Sequence, residues 1–136
     1  MRWSSEGFVL SLKPHNEKSY ILEVLTIEHG KHKGLIRGVH SKNIRSIIEP
    51  GNEIIAHWSG RLETHLGNYG VESIKSWSSF ILNDRKKLCA LTSACSLISN
   101  TIAEKQPNEN IYTGLKFLIQ ILTSNKDQWI KDYIIW

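Results

Sequence analysis

Residues 29–45 form a basic run, HGKHKGLIRGVHSKNIR. The run has eight side chains that are basic or become so on protonation and no carboxylate, yet Leu35, Ile36 and Val39 lie in its middle. Lysine and arginine side chains on one surface bind phosphate oxygens, with an affinity that falls as salt rises. The run is therefore either a solvated charged loop or a strand and loop that bind an anion, and we favour the second interpretation.

The local sequence predicts where each cation of this run lies. We expect a tight turn between Gly30 and Gly34, then a strand, then a loop. This order assigns five residues to nucleic-acid phosphates, two in the turn, one in the strand and two in the loop: Lys31, Lys33, Arg37, Lys42 and Arg45.

Aromatic side chains are the other requirement, because nucleobases of single strands stack on them. The candidates are Tyr20, Trp58 and Tyr69. Trp58 alternates with Ile54 and Ala56, which is more typical of a core position than of a stacking platform.

Metal binding and catalysis have weaker support. His29 and His32 form an H-x2-H pair, but residues 29–48 contain no cysteine or carboxylate to complete a zinc site. We expect no metal, and we interpret these histidines as added positive charge at lower pH. We likewise interpret His40, His57 and His65 as added positive charge at lower pH rather than as metal ligands.

The sequence has none of the short motifs of hydrolases, nucleotide-binding loops or zinc proteases, so we expect no enzyme activity. Three carboxylates near the predicted fourth strand are expected to serve only solubility and salt bridging: Glu49, Glu53 and Glu63.

The composition allows one domain and part of a second, with 136 residues and a net charge of +4. Cys89 and Cys95 are six residues apart, on different faces of a predicted helix, and we expect small core residues rather than a disulfide. Without a leader or a long apolar run, the expected location is the cytoplasm.

Five short strands are predicted in the first 78 residues, where glycines and prolines interrupt the apolar runs. Pro14 is expected to end the first, which should pair with the second as a hairpin, and Gly38 should bend the third. The predicted strands cover residues 6–15, 19–30, 33–41, 52–60 and 67–77. Their number favours a small barrel of the OB type.

Helical periodicity begins at Ser79, and we expect helices to end near Gln106 and Asn125 and to pack on the barrel. Asp127 is the expected cap of a third helix. Because apolar residues continue to Trp136, we predict that the chain stops before the helical domain is complete. The expected class is α+β, with an OB-fold barrel at residues 1–78 and an incomplete helical domain at residues 79–136.

Two longer segments resemble the amino-terminal half of the RecO family of bacterial recombination mediators, in the form found in alphaproteobacteria. They are GFVLSLKPHNEKSYILEVLTIEHGKHKGLIRG and IIEPGNEIIAHWSGRLETHLGNYGVE. The resemblance implies an OB-fold domain followed by a helical domain, without catalytic chemistry. It also implies binding of single- and double-stranded DNA and annealing of complementary strands.

The resemblance further implies action with RecR and with the single-strand binding protein SSB, assisting RecA loading on SSB-coated strands in the RecF pathway of repair. The acidic, apolar SSB tail would require a basic rim around an apolar pocket, for which the candidates are Arg85, Lys86, Lys87 and Lys116. Family members normally continue for about another hundred residues, a second ordinary domain, many with a four-cysteine zinc module that this sequence lacks. An adaptor that mainly docks RecR and SSB and binds DNA weakly is the alternative function.

Overall fold

A computed structural model of the chain describes residues 1–62, 65–124 and 129–136. The strands are β1 (Arg2–Pro14), β2 (Ser19–Thr26), β3 (Gly30–Arg37), β4 (Glu53–Ser59) and β5 (Asn68–Lys75). The helices are α1 (Lys42–Ile47), α2 (Arg85–Thr101), α3 (Glu109–Thr123) and α4 (Trp129–Ile135), with a 3-10 turn at Trp77–Phe80.

The five strands close into a barrel in the order β1-β2-β3-β5-β4. Neighbouring strands are antiparallel except β3 and β5, which pair in parallel at Leu35 and Asn68. The predicted β1–β2 hairpin and the α+β class with an OB-type barrel are confirmed.

A bulge in β1, between Val9 and Ser11, allows this strand to serve two cores. Val9 and Leu12 pack with the barrel interior, whereas Phe8 and Leu10 pack with the helices. Because a bulge adds one residue, side chains three positions apart face the same side across it. β1 therefore links the barrel to the helices.

The barrel interior is filled by side chains from all five strands. Trp58 is only 1% exposed, so its predicted core position is confirmed. Gly34 lies beneath Tyr69 and Trp58, and an added Cβ would lie 2.7 Å from the Tyr69 ring. Close packing, rather than a turn, therefore requires glycine at this position.

The helices pack on the outer side of the barrel around a second apolar cluster. Leu91, Cys95 and Ile98 of α2 are buried with Leu115, Leu118 and Leu122 of α3, on the predicted faces. The Asn108 side chain caps α3 by accepting a hydrogen bond from the Ile111 amide. The expected packing of helices on the barrel is confirmed.

The structure corrects several local predictions. The β2–β3 turn lies at residues 27–29, not between Gly30 and Gly34, which are strand residues. The predicted loop holding Lys42 and Arg45 is helix α1. β1 begins four residues earlier than expected, and α2 ends at Thr101 rather than near Gln106.

Cys95 is buried, and burial raises the pKa of its thiol to about 12. Cys89 is exposed, so its predicted core position is wrong. The expected cap Asp127, Glu63 and the predicted helix end at Asn125 lie outside the described residues. The domain boundary at residue 78 stays a prediction. Within the described ranges, no helix has the length and apolarity needed to cross a bilayer.

Candidate nucleic-acid interface

The outer surface of β2 and β3 is divided between a part covered by helices and a part open to solvent. Side chains alternate along each strand, so Ile21, Glu23 and Leu25 face outward on β2. Leu25 packs in the helical cluster, and Glu23 is 1% exposed. Ile21 is only partly buried. The end of the sheet near Ile21 is therefore accessible to a ligand.

Lys31 lies in the covered part and is 6% exposed. Its Nζ donates a hydrogen bond of 2.7 Å to the Ser99 carbonyl of α2, and its own carbonyl accepts one of 2.8 Å from the Lys105 amide. The ammonium group thus serves the contact between barrel and helices. This burial contradicts the predicted exposed turn position of Lys31.

Lys33 lies at the border between the two parts, with its side chain 44% exposed. Its Nζ is 3.1 Å from the Glu104 carboxylate and 3.9 Å from that of buried Glu23. The hydrogen bond with Glu104 raises the pKa of Lys33 and lowers the pKa of Glu104. Lys33 therefore faces solvent as an ammonium group with its charge partly countered.

Arg37 ends β3 at the open end of the sheet and is exposed. With residues 16–18 of the β1–β2 loop and Ser19 of β2 it lines a cleft of about 440 Å³. The Asn16 side chain holds this loop by accepting hydrogen bonds from the Lys18 and Ser19 amides, both at 2.9 Å. Lys18 and Glu17 are consequently presented beside Arg37.

An outer row of residues crosses this surface in register. Lys13 of β1 pairs with Ile21 of β2, which pairs with Leu35 of β3. The row continues through Asn68 of β5 and Ser59 of β4 to Arg2 of β1. None of these six residues is buried.

Lys13 and Lys18 are candidates that reasoning from sequence missed. The signal for Lys13 was present, because the predicted hairpin already placed it beside the second strand. We name this surface the open face. It consists of the exposed cations and partly buried apolar side chains at the Ile21 end of β1–β3 and in the β1–β2 loop: Lys13, Lys18, Ile21, Lys33, Leu35 and Arg37.

Lys42 and Arg45 lie apart from the strand residues, on helix α1. Both are exposed and, at three positions apart, they share one helix face. Ile44 and Ile47 of the same helix pack against the barrel cluster. The five predicted cations are therefore distributed over a buried contact, an open face and a separate short helix.

The aromatic candidates differ in accessibility. Tyr69 is 7% exposed and donates a hydrogen bond of 3.0 Å to the His32 carbonyl, and burial raises the pKa of its hydroxyl. Trp58 is buried, as described above. Tyr20 is partly buried, with its ring 6.2 Å from that of His40. Tyr69 and Trp58 therefore lie in the barrel interior and are not part of the open face.

The histidines of the basic run pack among aromatic rings. The His29 ring stacks on Trp3 with centroids 4.0 Å apart, while buried His32 contacts Trp58 edge-on at 5.0 Å. Burial lowers the pKa of His32, so its ring carries less positive charge than the sequence suggested. Among the described residues, no three histidine, cysteine or acidic side chains are grouped as metal ligands.

The four cations assigned to a partner lie on α2 and α3. Arg85 and Lys86 are exposed, Lys87 donates to the Ser124 carbonyl at 3.3 Å, and Lys116 is 4.0 Å from the Glu53 carboxylate. An apolar cavity of about 240 Å³ lies between α3 and α4. Of the described residues that line this cavity, Asp132 is the charged one. The basic rim stays a prediction.

Comparison with known proteins shows that the chain is similar to one protein family. The family described as Recombination protein O N terminal matches residues 1–77. The DNA repair protein RecO of Rhodospirillum rubrum is 33% identical over 140 residues, covering the whole chain and 56% of that protein. The RecO protein of Cereibacter sphaeroides is 34% identical over 136 residues, with the same coverage.

The RecO protein of Methylobacterium nodulans is 36% identical over 123 residues, covering 90% of the chain and 50% of the relative. The chain thus spans about half the length of the curated relatives it matches. The matched half contains the barrel and the described helices.

Proposed function

Since the chain belongs to the RecO family of DNA repair proteins, we propose that it binds single-stranded DNA on the open face during recombinational repair. Lys13, Lys18 and Arg37 contact phosphates, and Lys33 adds a weaker contact. Ile21 and Leu35 lie between these cations and offer apolar area to the bases.

One observation carries this proposal. In OB folds, the second and third strands with the adjoining loops form the surface that binds oligonucleotides. In this chain the same surface remains open beyond the part covered by α2, and its exposed charges include Lys13, Lys18 and Arg37. A site of this kind tracks the backbone of a single strand and reads little sequence.

Binding of this type supports annealing, because neutralising the phosphates of two complementary strands lowers their mutual repulsion. We propose that the chain anneals single strands in this way and assists RecA loading on SSB-coated strands, together with RecR, in the cytoplasm. The proposal includes binding of double-stranded DNA by the same phosphate contacts. It assigns no catalytic step and no cofactor to the chain.

A second candidate function is an adaptor that mainly docks proteins such as RecR or the SSB tail. The apolar cavity between α3 and α4 favours it, since Phe117 is 60% and Ile135 is 76% exposed beside that cavity. Contiguous exposed apolar surface marks sites of protein contact, whereas single exposed apolar residues do not.

The test is a fluorescence anisotropy titration with a labelled thymidine oligonucleotide of about 16 nucleotides, enough for one OB fold. The triple variant Lys13→Ala, Lys18→Ala and Arg37→Ala is compared with the unmodified chain between about 50 and 200 mM salt. Loss of three phosphate contacts should reduce the slope of log affinity against log salt by about 2.

A charge-matched control removes three exposed cations from the helices: Arg85, Lys86 and Lys131. We expect this control to keep the slope of the unmodified chain. If the two triple variants lost affinity equally, the open face would not be the DNA site. Retained capture of RecR in a pull-down, without oligonucleotide binding by the unmodified chain, would favour the adaptor.

A further inference from the structure

Among the described residues, three aromatic side chains are exposed: Phe80, Phe117 and Trp136. Phe117 and Trp136 line the apolar cavity between α3 and α4, together with the carboxylate of Asp132. Phe80 instead ends the 3-10 turn at Trp77–Phe80 and lies close to a lysine. Bases of a single strand stack on aromatic rings that lie along a positively charged surface. Phe80 is therefore the exposed ring whose surroundings fit a base.

The Phe80 ring is held by its neighbours and remains open to solvent. The Lys75 ammonium group lies 4.1 Å from the centroid of the Trp77 ring and 5.3 Å from that of the Phe80 ring. The Trp77 ring is fixed by a hydrogen bond of 3.2 Å that its Nε1 donates to the Glu53 carboxylate. Phe80 is nevertheless 60% exposed. A base can therefore stack on Phe80 while the nearby lysine contacts a phosphate.

Buried Asn52 joins the 3-10 turn to the end of helix α1. Its Nδ2 donates hydrogen bonds to the Ser46 carbonyl at 3.0 Å and to the Ser76 hydroxyl at 3.4 Å. Its Oδ1 accepts a hydrogen bond of 3.0 Å from the Ser78 amide. Because one side chain contacts both elements, α1 and the turn lie side by side on the surface.

Exposed cations lie on both sides of this junction. Arg45 directly precedes Ser46 in α1, and Lys75 directly precedes Ser76 at the start of the turn. Glu49 lies at the same junction, where its carboxylate accepts a hydrogen bond of 2.8 Å from a serine hydroxyl of the turn. The carboxylate thus serves the contact between the two elements, and the two cations face solvent.

Helix α1 connects the junction with the open face. Arg37 of the open face ends β3, and a turn closed by a hydrogen bond of 3.0 Å from the Ser41 amide to the Gly38 carbonyl follows it. Lys42 then begins α1, and Arg45 lies on the same exposed side of the helix, about 4.5 Å further along its axis. Exposed cations therefore continue from the open face to the 3-10 turn.

We propose that a single strand bound on the open face continues along α1 and that one of its bases stacks on Phe80. Lys42, Arg45 and Lys75 contact the phosphates of this segment. The inference rests on the proposed function, and it adds an aromatic platform to an open face that is built from cations and aliphatic side chains.

The test compares Phe80→Ala with Phe117→Ala, a matched control that removes another phenyl ring of the same 60% exposure. Both are titrated by fluorescence anisotropy with the thymidine oligonucleotide of about 16 nucleotides. Phe80→Ala should lower the affinity by about tenfold, since stacking of one base on an aromatic ring contributes strongly to binding. Phe117→Ala and Phe80→Trp should bind like the unmodified chain, and thermal melting verifies that each variant is folded.

An abasic oligonucleotide of the same length separates stacking from phosphate binding. It presents the same phosphates without bases, so Phe80→Ala should leave its affinity unchanged. The double variant Lys42→Ala and Arg45→Ala should behave differently, because it removes charge. It should lower the salt slope for both oligonucleotides by about 1.4, at about 0.7 for each phosphate contact.

The outcomes separate this inference from the proposed function. If Phe80→Ala bound the thymidine oligonucleotide with unchanged affinity, or weakened binding of both oligonucleotides equally, no base would stack on Phe80, while the open face could still bind DNA. An unchanged salt slope for the double variant would show that the strand does not follow α1. If the unmodified chain bound neither oligonucleotide at low salt, the proposed function itself would be wrong.

Discussion

At the scale of single residues, the pair formed by Lys33 and Glu104 sets how much charge the open face presents. Glu104 follows α2 and lies 3.1 Å from the Lys33 ammonium group. Both side chains are 44% exposed, so a phosphate can approach Lys33 and compete with the carboxylate. Exposed pairs of this kind exchange partners at small cost in free energy.

Glu104→Gln should therefore strengthen binding of single-stranded DNA. The amide removes the negative charge and leaves Lys33 available for a phosphate. We expect a gain of about two- to fivefold in affinity at low salt, in line with the energy of an exposed ion pair. The salt slope, measured by anisotropy, should become steeper by up to about 0.7.

Glu109→Gln is the control, because Glu109 is exposed in the first turn of α3 and the charge change is identical. An equal gain in both variants would mean that net charge, rather than the local pair, governs binding.

The strand position of Arg37 was predicted from the sequence and is confirmed, whereas Lys33 was predicted to lie in a turn and lies in β3. The burial of Lys31 could not be predicted, because its hydrogen-bond partner Ser99 lies 68 residues away in a helix. A charged run shows which side chains are available, whereas tertiary packing decides which of them reach solvent.

At the scale of elements, Gly30 begins β3 and Gly38 follows it, with similar backbone conformations in different surroundings. Their φ angles are 65° and 76°, in the region that favours glycine. A Cβ at Gly30 would overlap the Gln106 carbonyl oxygen, whereas nothing lies within 4 Å at Gly38. The absence of a side chain at Gly30 thus allows the α2–α3 connection to pack closely against the barrel.

The two alanine variants should separate backbone strain from close packing. Gly38→Ala should cost about 1–2 kcal/mol of unfolding free energy, from backbone conformation alone. Gly30→Ala should cost at least about 1 kcal/mol more, because the connection must move. Urea denaturation measures both, and equal losses would show that the contact with Gln106 contributes nothing.

The strands were predictable because short apolar runs, alternating in β1 and β4 and nearly continuous in β2, end at a turn or a proline, as at Pro14. Helix α1 was not, since it has only six residues and Ser41 makes no side-chain cap. The false turn arose from Gly30 and Gly34: Gly30 follows the turn with a positive φ and lies against Gln106, whereas Gly34 lies within the strand and packs against Tyr69.

At the scale of the whole molecule, barrel and helices share a core through β1 and β2. Phe8 and Leu10 of β1 and Leu25 of β2 pack in the helical cluster, and the Lys31 contact with Ser99 joins β3 to α2. We therefore expect the covered part of the sheet to serve assembly and the open part to serve binding. DNA is therefore expected to contact the cations of the open part and not those of the covered part.

The most direct test compares the salt slope of single-stranded DNA binding for Lys31→Met and Arg37→Gln, each verified as folded by circular dichroism. We predict that Arg37→Gln lowers the slope by about 0.7, the contribution of one phosphate contact. Lys31→Met should leave the slope unchanged, because its ammonium group is bound to Ser99. A lower slope for Lys31→Met with an unchanged slope for Arg37→Gln would contradict the account.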